Sequence, residues 1–213
     1  MAALSDDRIR ELLAPYVVPS GTAELPASLI RQVSEYLDLL LRWNARVNLT
    51  AIRRPEEIIQ RHFGESIFTA GHLAARLHAG SELLDYGSGP GFPGLPIQMV
   101  LPEVRVTVAE SQARKVAFLR EVIRTLGLGA EVWSRRVEEM PGERRFDAVT
   151  LRAVEKMAET VDDAATRVRE GGWMAALVGV GIEIVGAEEF LIPGSEQRRL
   201  LIWRNVPRGT SAS

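Results

Sequence analysis

The sequence predicts an α/β fold: a mostly parallel sheet with helices on both faces, preceded by a helical extension over residues 1–80. Three observations lead to it. From Glu82 onward, short valine- and leucine-rich runs alternate with longer segments of helical spacing, the pattern of crossover units. The first of these runs ends in a turn with glycine at every second place. Upstream, the apolar residues recur at helical rather than strand spacing. Residues 81–213 are therefore expected to form the core, with the extension packed on it as one compact unit.

Residues 28–44 place Leu29, Val33, Tyr36, Leu37, Leu40, Leu41 and Trp43 mostly on one helix face. Pro55 followed by Glu56 and Glu57 reads as a helix start: proline fits the first turn, and acids suit the positive end of the helix dipole. That helix is expected to run through Ile58, Ile59, Phe63 and Ile67 towards Leu77. Residues 82–86 form a strand and 95–100 a short helix; 104–109 alternate and are valine-rich, a second strand. A helix over 114–126 is closed by Gly127. Strands follow over 130–133 and 146–151, then a helix over 158–168 and a strand over 173–178. The runs 190–192 and 200–203 suit an antiparallel hairpin at the sheet edge, joined by the turn chemistry of Pro193-Gly194-Ser195-Glu196. Residues 209–213 read as a frayed tail. Trp43, Trp133, Trp173 and Trp203 are expected in the core.

Composition narrows the function. The 213 residues contain no cysteine, which excludes disulfides, thiolate metal sites and cysteine nucleophiles. No metal site is expected. No run approaches the roughly 20 apolar residues of a membrane span. The N-terminus, with Asp6 and Asp7, lacks the basic and apolar regions of a signal peptide, so the expected location is cytoplasmic. The net charge is −2. A protein that holds bulk phosphate is usually basic, so either nucleic acid is not the partner or the basic residues share one face.

The most informative stretch runs from Leu83 to Gly94. Glycine lets a backbone turn sharply and lets a ligand approach, and ligands of open α/β sheets sit beyond the carboxyl ends of the strands. The dinucleotide pattern G-x-G-x-x-G fails, because Phe92 stands at its third glycine. The pattern present is D-x-G-x-G-x-G: Asp85, Gly87, Gly89 and Gly91. S-adenosylmethionine (SAM) has no phosphate but carries an ammonium and a sulfonium, which an acid beside the loop suits. Glu110 ends the next strand, about 20 residues on, where a carboxylate can accept from ribose hydroxyls. That spacing also fits a nicotinamide dinucleotide; Asp85 and the glycine spacing favour SAM.

These residues resemble the bacterial 16S ribosomal RNA methyltransferase G family, also called glucose-inhibited division protein B, from about Tyr36 to Leu177. Trp43-Asn44 with Asn48-Leu49-Thr50 resembles its W-N…N-L-T segment. Arg61-His62-Phe63 and Glu65-Ser66-Ile67 resemble R-H-x-x-D-S. The run from Gly87 to Pro96 resembles G-S-G-x-G-F-P-G-x-P, whose prolines separate this family from generic methyltransferases. Glu110-Ser111 with Arg114-Lys115 and Phe118-Leu119 resembles D-S-x-x-K-R-x-x-F-L; Arg135 to Glu139 resembles R-x-E-E, and Arg152-Ala153 resembles S-R-A. The resemblance implies a Rossmann-like class I SAM-dependent methyltransferase that modifies N7 of a guanine in small-subunit ribosomal RNA. Gly87 and Phe92, with Asp85 and Gly89, would line the SAM pocket. Glu110 would hold the ribose, Val137 and Glu138 would meet the adenine, and Arg152 would sit at the mouth. The sequence departs from the family at Glu110 (usually aspartate), Leu151 (usually serine) and Val178 (usually lysine).

Guanine N7 carries no proton and is exposed on the major-groove edge. Its methylation therefore needs no general base, and positioning supplies most of the rate; no catalytic base is expected. Pyrimidine C5 chemistry would need a cysteine, and the D/N-P-P-Y/F motif of amine methylation is missing. His62 is expected to align the helical segment or contact RNA. Arg61, Arg114, Lys115, Arg135, Arg136 and Arg152 are expected to form a basic patch at the pocket mouth for ribosomal RNA or the small ribosomal subunit, in a monomeric protein. The alternatives are a SAM-dependent methyltransferase acting on a protein or small molecule, and a non-catalytic nucleotide-binding module.

Overall fold

The computed structural model describes residues 2–17, 25–152 and 157–205. The expected tail at 209–213 and Ala153 lie outside the described residues. Four helical segments come first: α1 (Asp6–Leu13), α2 (Ala27–Asn44), α3 (Pro55–Ile58) and α4 (Glu65–Ala74). Helix α1, capped by the Ser5 side chain, was not anticipated individually. The expected continuous helix after Pro55 is interrupted by a π-helical segment, Ile59–Gly64, which carries Arg61 and His62. Such segments are rare and often sit at functional sites.

The sheet then forms as the alternation predicts. Its strands are β1 (Glu82–Tyr86), β2 (Arg105–Ala109), β3 (Glu131–Trp133), β4 (Phe146–Arg152), β5 (Val168–Gly179), β6 (Glu188–Leu191) and β7 (Arg198–Arg204). The helices between them are α5 (Gly94–Val100), α6 (Ala113–Leu126) and α7 (Met157–Ala165). The strand order is β3-β2-β1-β4-β5-β7-β6. The first five strands run parallel, and β7 enters antiparallel between β5 and the edge strand β6. Leaving β1, the chain builds outward to β3 and then returns to β1's other side, so the loop after β1 lies at the topological switch point.

Two apolar layers flank the sheet. Alternate strand residues Leu83, Val106, Ala148 and Leu177 face a large core that also takes Ile9, Ile30, Tyr36, Phe63, Ile97 and Phe118 from the helices. Residues of the N-terminal extension and of the sheet thus share one core. The opposite faces, Leu84, Val149, Ala176 and Val178, meet Val137, Met140 and Ala164 in a smaller cluster. The four tryptophans pack against the core without being fully buried. Trp43 and Trp173 pack at the rim of the larger cluster, Trp133 and Trp203 at the rim of the smaller. Among the described residues no helix is long and apolar enough to cross a membrane.

Candidate functional site

The glycine loop follows β1, and its glycines do two different jobs. Gly87 and Gly89 have φ of 69° and 57°, and a Cβ built at either meets no atom within 4 Å. Both positions thus combine a left-handed backbone with open space, the conditions for a close-fitting ligand. Gly91 and Gly94 face inward. A Cβ at Gly91 would lie 2.3 Å from the Tyr36 hydroxyl, and one at Gly94 would lie 2.7 Å from Asp85 Cβ.

Asp85 is fully buried beneath this loop. The Gly94 N–H donates to its Oδ2 at 3.0 Å and the Thr150 hydroxyl to its Oδ1 at 2.9 Å. Burial raises its pKa, and hydrogen bonds from Ser88, Gly94 and Thr150 oppose the rise. The carboxylate expected beside a ligand ammonium is thus engaged in fixing the loop to the start of α5 and to β4. Phe92 is likewise placed inside: its ring stacks on Tyr36 (centroids 5.2 Å apart) and on His62 (4.9 Å) and meets Phe63 edge-on. The Tyr36 hydroxyl donates to the Pro90 carbonyl at 2.5 Å. The loop is therefore held from below by the N-terminal extension, through a tyrosine that the helical periodicity marks only as a core position.

The open side of the loop borders a cleft of about 160 Å³. Its walls bring together Gly87, Glu110, Arg135, Arg136, Val137 and Glu138, drawn from the ends of β1, β2 and β3. Tyr86 and Ser111 also line it. Sequence reasoning gave neither a role, although each adjoins a residue it singled out. Glu110 accepts from the Gln112 N–H at 2.8 Å, and Lys115 Nζ lies 3.8 Å from its other oxygen. Each carboxylate oxygen keeps lone pairs for further donors. The Tyr86 hydroxyl donates to Glu138 at 3.4 Å; burial first, then Glu138, push its pKa to about 12. Arg114 is exposed on the first turn of α6.

The six basic residues do not form one open patch. Arg135 and Arg136 line the cleft and Lys115 pairs with Glu110. Arg61 and Arg152 belong to a second cluster around Glu65, where Arg198, which sequence reasoning missed, joins them. Arg152 also donates to the Arg61 carbonyl at 2.6 Å. Burial lowers the Arg152 pKa to about 10, a fall that Glu65 opposes. Beside the cluster, His62 Nε2 lies 2.8 Å from Thr50 Oγ1. Burial, then Arg152, Arg61 and Arg198, lower its pKa to about 2, so the ring is neutral. Val178 is buried in the smaller core, and its cross-strand neighbour Arg199 is paired with Glu189. Leu151 is fully buried in that same core. Among the described residues no group of His, Asp and Glu could hold a metal ion.

The lining fits SAM: open glycines without a phosphate-type pattern, the Glu110 carboxylate with acceptor capacity to spare, and Val137 on the cleft wall. Solved structures share the fold. A Thermus thermophilus 16S rRNA N2 G1207 methyltransferase in complex with AdoMet and guanosine superposes with a TM-score of 0.54 at 20% identity, over 65% of this chain and 42% of that one. A methyltransferase from Pyrococcus furiosus gives 0.53 at 15% identity, over 66% and 83%. Sequence relatives are nearer. The ribosomal RNA small subunit methyltransferase G of Xanthomonas campestris pv. campestris (strain B100) is 33% identical over 94% of this chain and 96% of its own length. Its namesake from Stenotrophomonas maltophilia (strain K279a) is 40% identical over 73% of this chain and 72% of its own. The family model described as rRNA small subunit methyltransferase G matches residues 29–188, and the chain belongs to that family.

Proposed function

We propose that this chain transfers a methyl group from SAM to N7 of a guanine in small-subunit ribosomal RNA, as a cytoplasmic monomer. It is a SAM-dependent methyltransferase of its family, and small-subunit ribosomal RNA is its substrate class. The observation that carries the reading is the cleft beside Gly87, where open backbone, Glu110 and Arg135–Arg136 meet at the carboxyl ends of three parallel strands.

SAM supplies a methyl group on a cationic sulfur, which a neutral nitrogen lone pair can accept. The chain's own part is to bind, orient and exclude water. Glu110 would hold the ribose hydroxyls, and Val137 would pack on the adenine. Asp85, Tyr36 and Phe92 act at one remove, by fixing the loop. Arg135 and Arg136, exposed at the cleft, would contact RNA phosphates. Because N7 has no proton to lose, no side chain need act as a base, and the neutral His62 is assigned a packing role beside the loop.

The test is methylation of small-subunit ribosomal RNA by purified protein with SAM, followed by reduction and aniline cleavage at 7-methylguanine. Cleavage at one guanine is expected. Methyl transfer only to protein, or to a guanine exocyclic amine, would overturn the proposal.

A further inference from the structure

A second feature lies outside the cleft. At the C-terminal end of α2, Arg42, Trp43, Ala45, Arg46 and Val47 line a groove of about 580 Å³, larger than the cleft itself. The side chains of Arg42 and Arg46 are exposed and have no hydrogen-bond or ion-pair partner among the described residues. The neighbouring Arg53, in contrast, is occupied by the Asn44 carbonyl and Asn48 Oδ1. Trp43 is partly exposed and its indole is held in place: Nε1 donates to Glu121 at 3.0 Å, and the ring packs edge-on against Phe118 at 5.6 Å. Two free guanidiniums beside an oriented aromatic ring match a single strand of nucleic acid, which offers phosphates to the first and a base face to the second.

The groove is tied to the cleft from two directions. Asn44 Oδ1 accepts from the Leu49 and Thr50 N–H groups, at 2.8 and 3.0 Å. Thr50 contacts His62, and His62 stacks on Phe92 of the glycine loop. On the other side, Phe118 lies one helical turn along α6 from Arg114, and Lys115 beside it pairs with Glu110 of the cleft. The W-N…N-L-T segment thus builds a surface connected rigidly to the methyl-transfer site, a purpose the cleft alone does not give it.

We infer that this groove is a second docking surface for the ribosomal RNA substrate, gripping a strand that flanks the target guanine through phosphates at Arg42 and Arg46 and a base against Trp43. The inference rests on the RNA-methyltransferase reading above. It also resolves how a chain of net charge −2 holds a polyanion: through local unpaired cations rather than overall charge. The negative end of the α2 dipole also attracts arginines; that role would show in stability, not in RNA affinity.

The test compares wild type with the double variant Arg42→Ala, Arg46→Ala. Three quantities are measured: SAM affinity, binding of a full-length 16S RNA transcript against salt, and binding of assembled small subunits. The variant should keep SAM affinity and bind the transcript about tenfold more weakly or worse, with a salt slope smaller by about 1.4–1.8 for two lost phosphate contacts. In addition, RNA should quench wild-type tryptophan fluorescence more than that of Trp43→Phe. Unchanged transcript affinity and slope would overturn the inference while leaving the methyltransferase reading intact. Weakened binding to assembled subunits alone would also overturn it, assigning the groove to a ribosomal protein. A wild-type protein that binds neither RNA nor subunits would instead defeat the functional reading beneath it.

Discussion

Replacing Asp85 separates two roles that the D-x-G-x-G-x-G pattern leaves mixed: charge offered to a ligand, and scaffolding of the loop. In Asp85→Ala the Gly94 N–H loses its buried acceptor, whereas Thr150 can turn its hydroxyl to the Leu84 carbonyl at 3.5 Å. An unsatisfied buried N–H costs about 1–3 kcal/mol. With a urea slope of about 2–3 kcal/mol per M, the midpoint should fall by about 0.3–1.5 M. In Asp85→Asn the amide oxygen can still accept from Gly94 while its NH2 faces Thr150 Oγ1, so the loss should stay below about 1 kcal/mol. SAM affinity, measured by calorimetry, should follow the same order: strongly reduced in the alanine variant and near wild type in the asparagine variant. If Asp85→Asn keeps its stability but loses as much affinity as Asp85→Ala, the carboxylate charge itself meets the ligand and the scaffolding argument is wrong.

Three further outcomes are expected. Glu110→Ala should weaken SAM binding by about 1.5–3 kcal/mol for each charge-assisted bond lost; wild-type affinity by calorimetry would remove Glu110 from the ribose site. Gly87→Ala should cost about 1–2 kcal/mol of stability from its left-handed backbone and, by filling ligand space, lose SAM binding more than tenfold with far-ultraviolet dichroism unchanged; Gly87→Val adds β-branched strain at the same φ, so it is the poorer probe. His62 has a folded-state pKa of about 2, far below its unfolded value, so the unfolded chain binds the extra proton between them. Its contribution is full above about pH 6.5 and falls as pH drops, by about 1.4 kcal/mol per unit; His62→Gln should flatten the fall in unfolding free energy between pH 6 and 5 by one proton, and an unchanged slope would mean the ring is accessible.

Much of the site was legible because it is local in sequence. Gly87, Glu110, Val137 and Glu138 each follow a strand end, and parallel strands bring their carboxyl ends to one side. Asp85 and Phe92 fall at the end of β1 and in the loop after it, but the inward direction of their side chains was not readable. In a strand the face alternates, and which face is buried depends on what packs there. Asp85 lies opposite Thr150 on β4, a register no local pattern specifies. The Glu65 cluster draws on residues 61, 65, 152 and 198, separations over which sequence spacing carries no signal.

By itself the sequence determined the class of the fold, through the switch from helical to strand periodicity at residue 82, and the kind of ligand, through Asp85 and the alternate glycines after it. It also excluded cysteine chemistry outright. Only the tertiary structure decided that β7 inserts between β5 and β6, that the tryptophans sit at the core's rim, and that the basic residues divide between cleft, Glu65 cluster and groove. The reason is physical. Periodicity and turn chemistry act within a few residues, whereas side-chain direction, pairing and burial are set by whichever distant segment arrives to share the same space.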